Sequence, residues 1–239
     1  GQGMIDITGK PLASMYFMQI VWGLRKEPFI GVRPLNHAKE APTTGAWQFT
    51  NAIDSWSWQG YEGEKAVVEV YANSASVRLL LNGKEIANKP VKKYKTLFKL
   101  PYQPGTLTAE ALDERANVIS SHSLTTAGEE TVLRVTPDKM VLCANNQALC
   151  YLPIEFTDKA GNLKPYMEQR VEVAVAGAAT LAGFGSALCK TNEVFDKPYH
   201  HSYRGRCLAV LRAGSTPGKA KVTVTSAGME PVTIEVEVQ

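Results

Sequence analysis

The stretch that most limits what this chain can become runs from Trp56 to Ala87, WSWQGYEGEKAVVEVYANSASVRLLLNGKEIA. Val67, Val68, Val70 and Tyr71 favour extended backbone, because branching at Cβ or a flat ring suits a pleated sheet better than a crowded helix. Asn73 and Ser74 end that run, and Val77 to Leu81 forms the next strand. Asn82-Gly83 then predicts a two-residue hairpin loop, since a type I′ turn needs two residues that tolerate positive φ. Lys84 to Ala87 is the returning strand, and the whole stretch reads as the heart of a β-sandwich.

The same signals recur along the chain. The first sandwich is expected to have strands near 55–58, 66–72, 76–82, 84–88, 93–100, 106–113 and 117–125. A second β-rich run follows, near 131–136, 139–143, 149–157, 170–176, 179–183, 207–213, 219–226 and 231–238. In its last strand Val232, Ile234, Val236 and Val238 alternate with Thr233, Glu235 and Glu237, the pattern of a half-buried antiparallel strand. Residues 183–206 read as one long irregular loop. Residues 25–54 form a turn-rich connector with Pro28, Pro34, Pro42 and Gly45, and short β-like pieces at Phe29 to Val32 and Trp47 to Thr50.

One helix is expected, from Pro11 to Trp22, with Gly23 placed to end it. Its apolar residues go nearly all the way round, which a helix lying on one sandwich does not need. One reading is that it wants neighbours on several sides; the other is an edge helix capping the first sandwich. Left alone, it is expected to fold back near Trp47 and Trp56 or to pair with another copy.

At 239 residues the chain is long enough for two sandwich domains with separate cores. A formal charge of +3, spread along the chain, marks no basic stripe, which argues against a nucleic-acid partner. No apolar run is long enough to span a bilayer. The opening GQGMIDITG reads as the middle of something longer. Cys143, Cys150, Cys189 and Cys207 sit at no metal-binding spacing, so neither a metal nor another cofactor is expected; a Cys189 to Cys207 bridge would need geometry that a sequence does not supply.

The motifs then carry a resemblance. W-x-W, a glycine-containing gap, V-x-V-Y-x-N and V-x-L-x-L-N-G-K resemble the immunoglobulin-like domain behind the catalytic barrel of family 2 glycoside hydrolases, the β-galactosidase family. YQPGT at 102–106 followed by Leu107 is similar to that family's Y-x-P-G-x-L, and Thr126-Ala127-Gly128 to its junction between sandwiches. G-x-x-D-x-x-G-x-P and the following helix look like the last helix of the barrel. VTPDKM, TDKAGN and the closing strand pair resemble bacterial immunoglobulin-like modules.

The resemblance implies an all-β chain: two tandem immunoglobulin-like β-sandwiches preceded by one helix left over from the catalytic barrel. Residues 1–34 would be that remnant with its connector, 35–127 the first sandwich and 128–239 the second. The implied role is a non-catalytic C-terminal segment that braces the barrel or shapes its entrance, in a periplasmic or extracellular enzyme. Its implied partners are the barrel, carbohydrate and a second copy of the chain. An autonomous carbohydrate-binding module and an adhesin-like stalk are the competing classes.

A glycosidase needs two carboxylates across the scissile bond. Glu69, Glu110 and Glu155 alternate with apolar strand neighbours and read as solvated faces, so no catalytic pair is expected here. The resemblance places the family's catalytic glutamates upstream. Trp56, Trp58 and Tyr61 are candidate carbohydrate contacts, weighed against a role in core packing. His200-His201 reads as a surface loop pair.

Overall fold

Alternating apolar and polar residues make strands of nearly half of the chain, and a computed structural model describes residues 3–39, 45 and 47–239. Part of the expected connector, including Pro42, lies outside the described residues. The chain divides into two compact units, Gly1–Thr126 and Ala127–Gln239.

In the first unit, α1 (Ala13–Val21) precedes β1 (Phe29–Val32), β2 (Lys65–Tyr71), β3 (Ser76–Leu81), β4 (Lys84–Pro90), β5 (Lys95–Pro101), β6 (Thr106–Leu112) and β7 (Val118–Thr125). One sheet has the order β1-β2-β5 and the other β4-β3-β6-β7, with antiparallel pairing throughout. Ala66, Val68 and Val70 of β2 meet Val77, Leu79 and Leu81 of β3 in one core. The hairpin forms as expected, with Asn82 and Gly83 both at positive φ and Leu81 opposite Lys84. Asn82 also ties the hairpin to the next strand, because its Oδ1 accepts the Thr106 N–H at 2.8 Å. A Cβ on Gly105 would come within 1.9 Å of that oxygen, which is why the YQPGT turn holds a glycine there.

Two expectations change. Residues 55–58 form no strand; the seventh strand is β1, from the supposed connector, paired with β2 from Phe29 opposite Tyr71 to Val32 opposite Val68. Trp56 and Trp58 bury their rings from an irregular segment instead.

The helix is shorter than expected and caps the first unit. Gly23 (φ 72°) ends it: the Gly23 N–H reaches the Ile20 carbonyl and the Leu24 N–H the Gln19 carbonyl, the paired bonds of a Schellman cap. Ala13 and Ile20 are buried, and Tyr16 stacks on Phe29 at 4.4 Å while Phe17 meets Tyr71 edge-on at 5.3 Å. The contacts are therefore with Phe29, Phe49 and Tyr71 on the outer face of the sheet, not with Trp47, which is exposed, or Trp56, which lies inside the sandwich.

In the second unit the strands are β8 (Val132–Val135), β9 (Val141–Leu142), β10 (Leu149–Thr157), β11 (Arg170–Gly177), β12 (Ala179–Gly185), β13 (Tyr199–His201), β14 (Arg206–Ala213), β15 (Gly218–Ser226) and β16 (Val232–Val238). They form the sheets β12-β14-β10-β8 and β13-β11-β15-β16-β9. This is the immunoglobulin arrangement of an A-B-E-D sheet against a C-F-G sheet, with β9 added in parallel to β16. The loop expected at 183–206 contains β13. The buried Lys164 ties the unit's start to its body, donating to the Glu129 carbonyl at 2.7 Å and to Thr131 Oγ1 at 2.8 Å.

Expressed separately, 1–126 and 127–239 should each unfold cooperatively, whereas 35–127 should not match the first of them. Without β1 and α1, strand β2 loses its edge partner and its cover, and thermal unfolding compared side by side should show a lower midpoint or aggregation.

Candidate functional site

The sequence singled out three aromatic residues, and packing disposes of them differently. Trp56 and Trp58 have no exposed surface. Trp56 Nε1 donates to the Gln103 carbonyl at 3.0 Å, its ring meets Tyr102 edge-on at 5.0 Å, and the Trp58 N–H donates to Tyr102 Oη at 3.1 Å. Both rings are thus committed to the core. Tyr61 is half-buried against the same core.

The acidic residues separate by environment. Glu110 pairs with Arg78 at 2.6 Å and Glu155 with Arg206 at 2.9 Å, each across neighbouring strands. Glu69 does not have the solvated position expected of it. It lies on the outer face of β2, wholly buried. One carboxylate oxygen accepts from Arg33 Nε at 2.8 Å and Thr50 Oγ1 at 2.9 Å, the other from Lys95 Nζ at 2.6 Å and Tyr71 Oη at 2.8 Å.

Burial by itself would raise the Glu69 pKa, but the hydrogen bond and charge of Lys95, with Tyr71 and Arg33, hold it below its ordinary value. Burial and the Glu69 charge push the Tyr71 phenol up. Lys95 also lies 5.5 Å from the centre of the Phe49 ring and 5.6 Å from that of Tyr71. A carboxylate held by four donors, with its pKa lowered, neither gives nor takes a proton near neutral pH. Glu69 is a clasp that fastens β1, β2, β5 and the Thr50 segment together. A glutamate inside an otherwise apolar run, AVVEVY, was the signal that could have found it.

A second polar cluster lies in the second unit. His200 is buried and His201 exposed, as adjacent strand residues must be, so they are not a surface loop pair. Glu193 accepts from His201 Nδ1 at 2.9 Å and from the His201 N–H, and these bonds outweigh burial to hold its pKa down. Phe195 stacks on the His200 ring at 5.6 Å. No group of three or more His, Cys, Asp and Glu among the described residues could hold a metal ion.

All four cysteines are free, so Cys189 and Cys207 are not bridged. Burial pushes the Cys150 thiol up to about 11 and the Cys207 thiol higher still, which keeps both from acting as nucleophiles at neutral pH.

Residues 133–235 match the family model for the glycoside hydrolase family 2 C-terminal domain 5, and residues 63–119 match a domain of unknown function, DUF4982. A β-galactosidase of Bacteroides ovatus is 26% identical over 240 residues, an alignment covering 99% of this chain and 25% of the relative. Two solved structures of a family 2 glycosyl hydrolase from Bacteroides cellulosilyticus superpose with TM-scores of 0.87 and 0.86, at 25% and 26% identity. They cover 99% and 98% of this chain and 31% and 32% of their own. The chain therefore spans only a quarter to a third of the length of these relatives.

The clasp makes a directional pH prediction. A carboxyl whose pKa is lowered in the folded state adds stability that is present above its ordinary value of 4.5 and is lost as pH falls through the lowered value. Unfolding free energy measured against pH should therefore fall more steeply below about pH 4.5 for the parent chain than for Glu69→Gln. At neutral pH the variant should cost about 1–3 kcal/mol, because it leaves Thr50, Tyr71 and two cations without their anion.

Proposed function

We propose that this chain, which resembles the C-terminal region of family 2 glycoside hydrolases over its whole length, is the non-catalytic part of a longer β-galactosidase-like enzyme. That enzyme would cleave O-glycosidic bonds with two carboxylates by the retaining route, outside the cytoplasm. In this reading the first sandwich, over 35–127 and joined by β1 from the lead-in 1–34, and the second, over 128–239, brace the catalytic barrel or shape its entrance.

One observation carries the proposal. The alignment takes in 99% of this chain and only 25% of the β-galactosidase, so most of that enzyme has no counterpart here. The acid chemistry is in keeping with this. The buried carboxylate is saturated by donors, and Glu110 and Glu155 are tied to arginines. Large apolar side chains stay exposed next to α1 in sequence, namely Ile5 at 50%, Ile7 at 63%, Trp22 at 57% and Leu24 at 73%. That is surface a barrel would cover, and it supports reading α1 as the barrel's last helix.

The chain alone should turn over no chromogenic aryl glycoside in a broad panel. Turnover that disappears on changing a single Asp or Glu of this chain would overturn the proposal. Joined to its catalytic barrel, the chain should raise the barrel's thermal midpoint, and Trp22→Asp with Leu24→Asp should take back much of that gain while leaving both units folded.

A further inference from the structure

The second unit contains a cleft that neither its cores nor its ion pairs explain. Strands β11 and β12 follow one another directly but belong to different sheets, so they diverge after Gly177. Strand β13, which covers the edge of β11, is only three residues long. Its cover ends where the Val173 N–H donates to the Pro198 carbonyl at 2.8 Å. Backbone groups alternate along a strand, so Val175 turns its N–H and C=O to the same side, where β13 no longer reaches. The result is a cleft of about 550 Å³, within the range of small-molecule sites, lined among others by Glu172, Thr180, Leu181, Tyr199 and Thr225.

We propose that this cleft binds a neutral saccharide, with Tyr199 as the platform on which a pyranose ring stacks. Tyr199 is 37% exposed and already held in place, since the Arg170 guanidinium lies 4.0 Å from the ring centre. A ring fixed beforehand loses little freedom on binding. The electron-rich face of tyrosine attracts the weakly positive C–H groups of a sugar. Thr180 and Thr225 lend hydroxyls that have no hydrogen-bond partner among the described residues, whereas Thr223 is engaged with Thr233 at 3.2 Å.

Charge selects the class of ligand. Among the described residues, Glu172 is the only charged side chain lining the cleft, and Arg170 meets it at 3.0 Å, so the wall carries no net charge to attract an anionic or cationic sugar. An added peptide strand fits less well. The uncovered part of β11 is short, and the free edge of β12 is already engaged where the Phe184 N–H donates to the Phe195 carbonyl at 2.8 Å. Choosing a saccharide rests on the glycoside hydrolase reading above, whereas the cleft's shape and charge do not.

The test is calorimetric titration of the whole chain with lactose and with cellobiose, taking galacturonate and an extended peptide as contrasts. Saturable binding of at least one neutral disaccharide is expected, with a dissociation constant on the order of a millimolar. Tyr199→Ala should weaken it by about tenfold or more, and Tyr199→Phe should keep it, because the ring and not the hydroxyl is the platform. Thr180→Lys, at an exposed position, fills the cleft without touching the core and should abolish binding, which guards against a Tyr199 variant that fails to fold. No binding of either disaccharide, binding that survives both Tyr199→Ala and Thr180→Lys, or a preference for galacturonate or the peptide would overturn the proposal. Such a failure would leave the absence of hydrolysis and the stabilisation of the barrel untouched, so it is distinguishable from a failure of that reading.

Discussion

The first unit depends on a strand buried on both faces. β2 is hydrogen-bonded to β1 on one side and β5 on the other, and Ala66, Val68 and Val70 fill the sandwich interior. Its other face would meet water in an ordinary two-layer sandwich. Here Tyr71 lies beneath Phe17 and against Phe29, and Glu69 is sealed in beside it. A carboxylate out of water is tolerable only when donors replace the lost hydration, and four do. The helix, the edge strand and the Thr50 segment are therefore required by the sandwich as much as attached to it.

Three ion pairs elsewhere follow the opposite rule. Arg78 with Glu110, Arg206 with Glu155 and Lys219 with Glu235 link neighbouring strands on faces that water reaches. Such pairs contribute little to stability but set register and keep sheet faces soluble. The second unit adds a different device, an edge strand cut short. Stopping β13 after three residues leaves β11 partly uncovered, and the gap becomes a walled cleft because β12 departs into the other sheet.

These features bear on the proposed accessory role. A support for a barrel needs rigid sandwiches, an apolar surface to press against its neighbour, and no catalytic group of its own. Two cores and the exposed apolar residues around α1 fit the first two of those needs. The cleft beside Tyr199, if it binds as proposed, adds to such a support a place for a neutral saccharide.

Most of the strands, the hairpin at Asn82-Gly83, the glycine that ends the helix and the all-β class were legible in the sequence, because each rests on backbone preference or on alternation within a few residues. The tertiary structure alone decided which face of a strand stays wet. Glu69 alternates with valines just as a solvated residue would, and Arg33, Thr50 and Lys95, far away in sequence, join Tyr71 in replacing its water. Phe29 to Val32 looked like a fragment of connector until β2 offered it an edge, while Trp56 and Trp58 alternated like a strand but bury their rings from an irregular segment. Neither the burial of His200 nor the cleft at Tyr199 is written in the residues near them, because both follow from where a three-residue strand lands on the edge of β11.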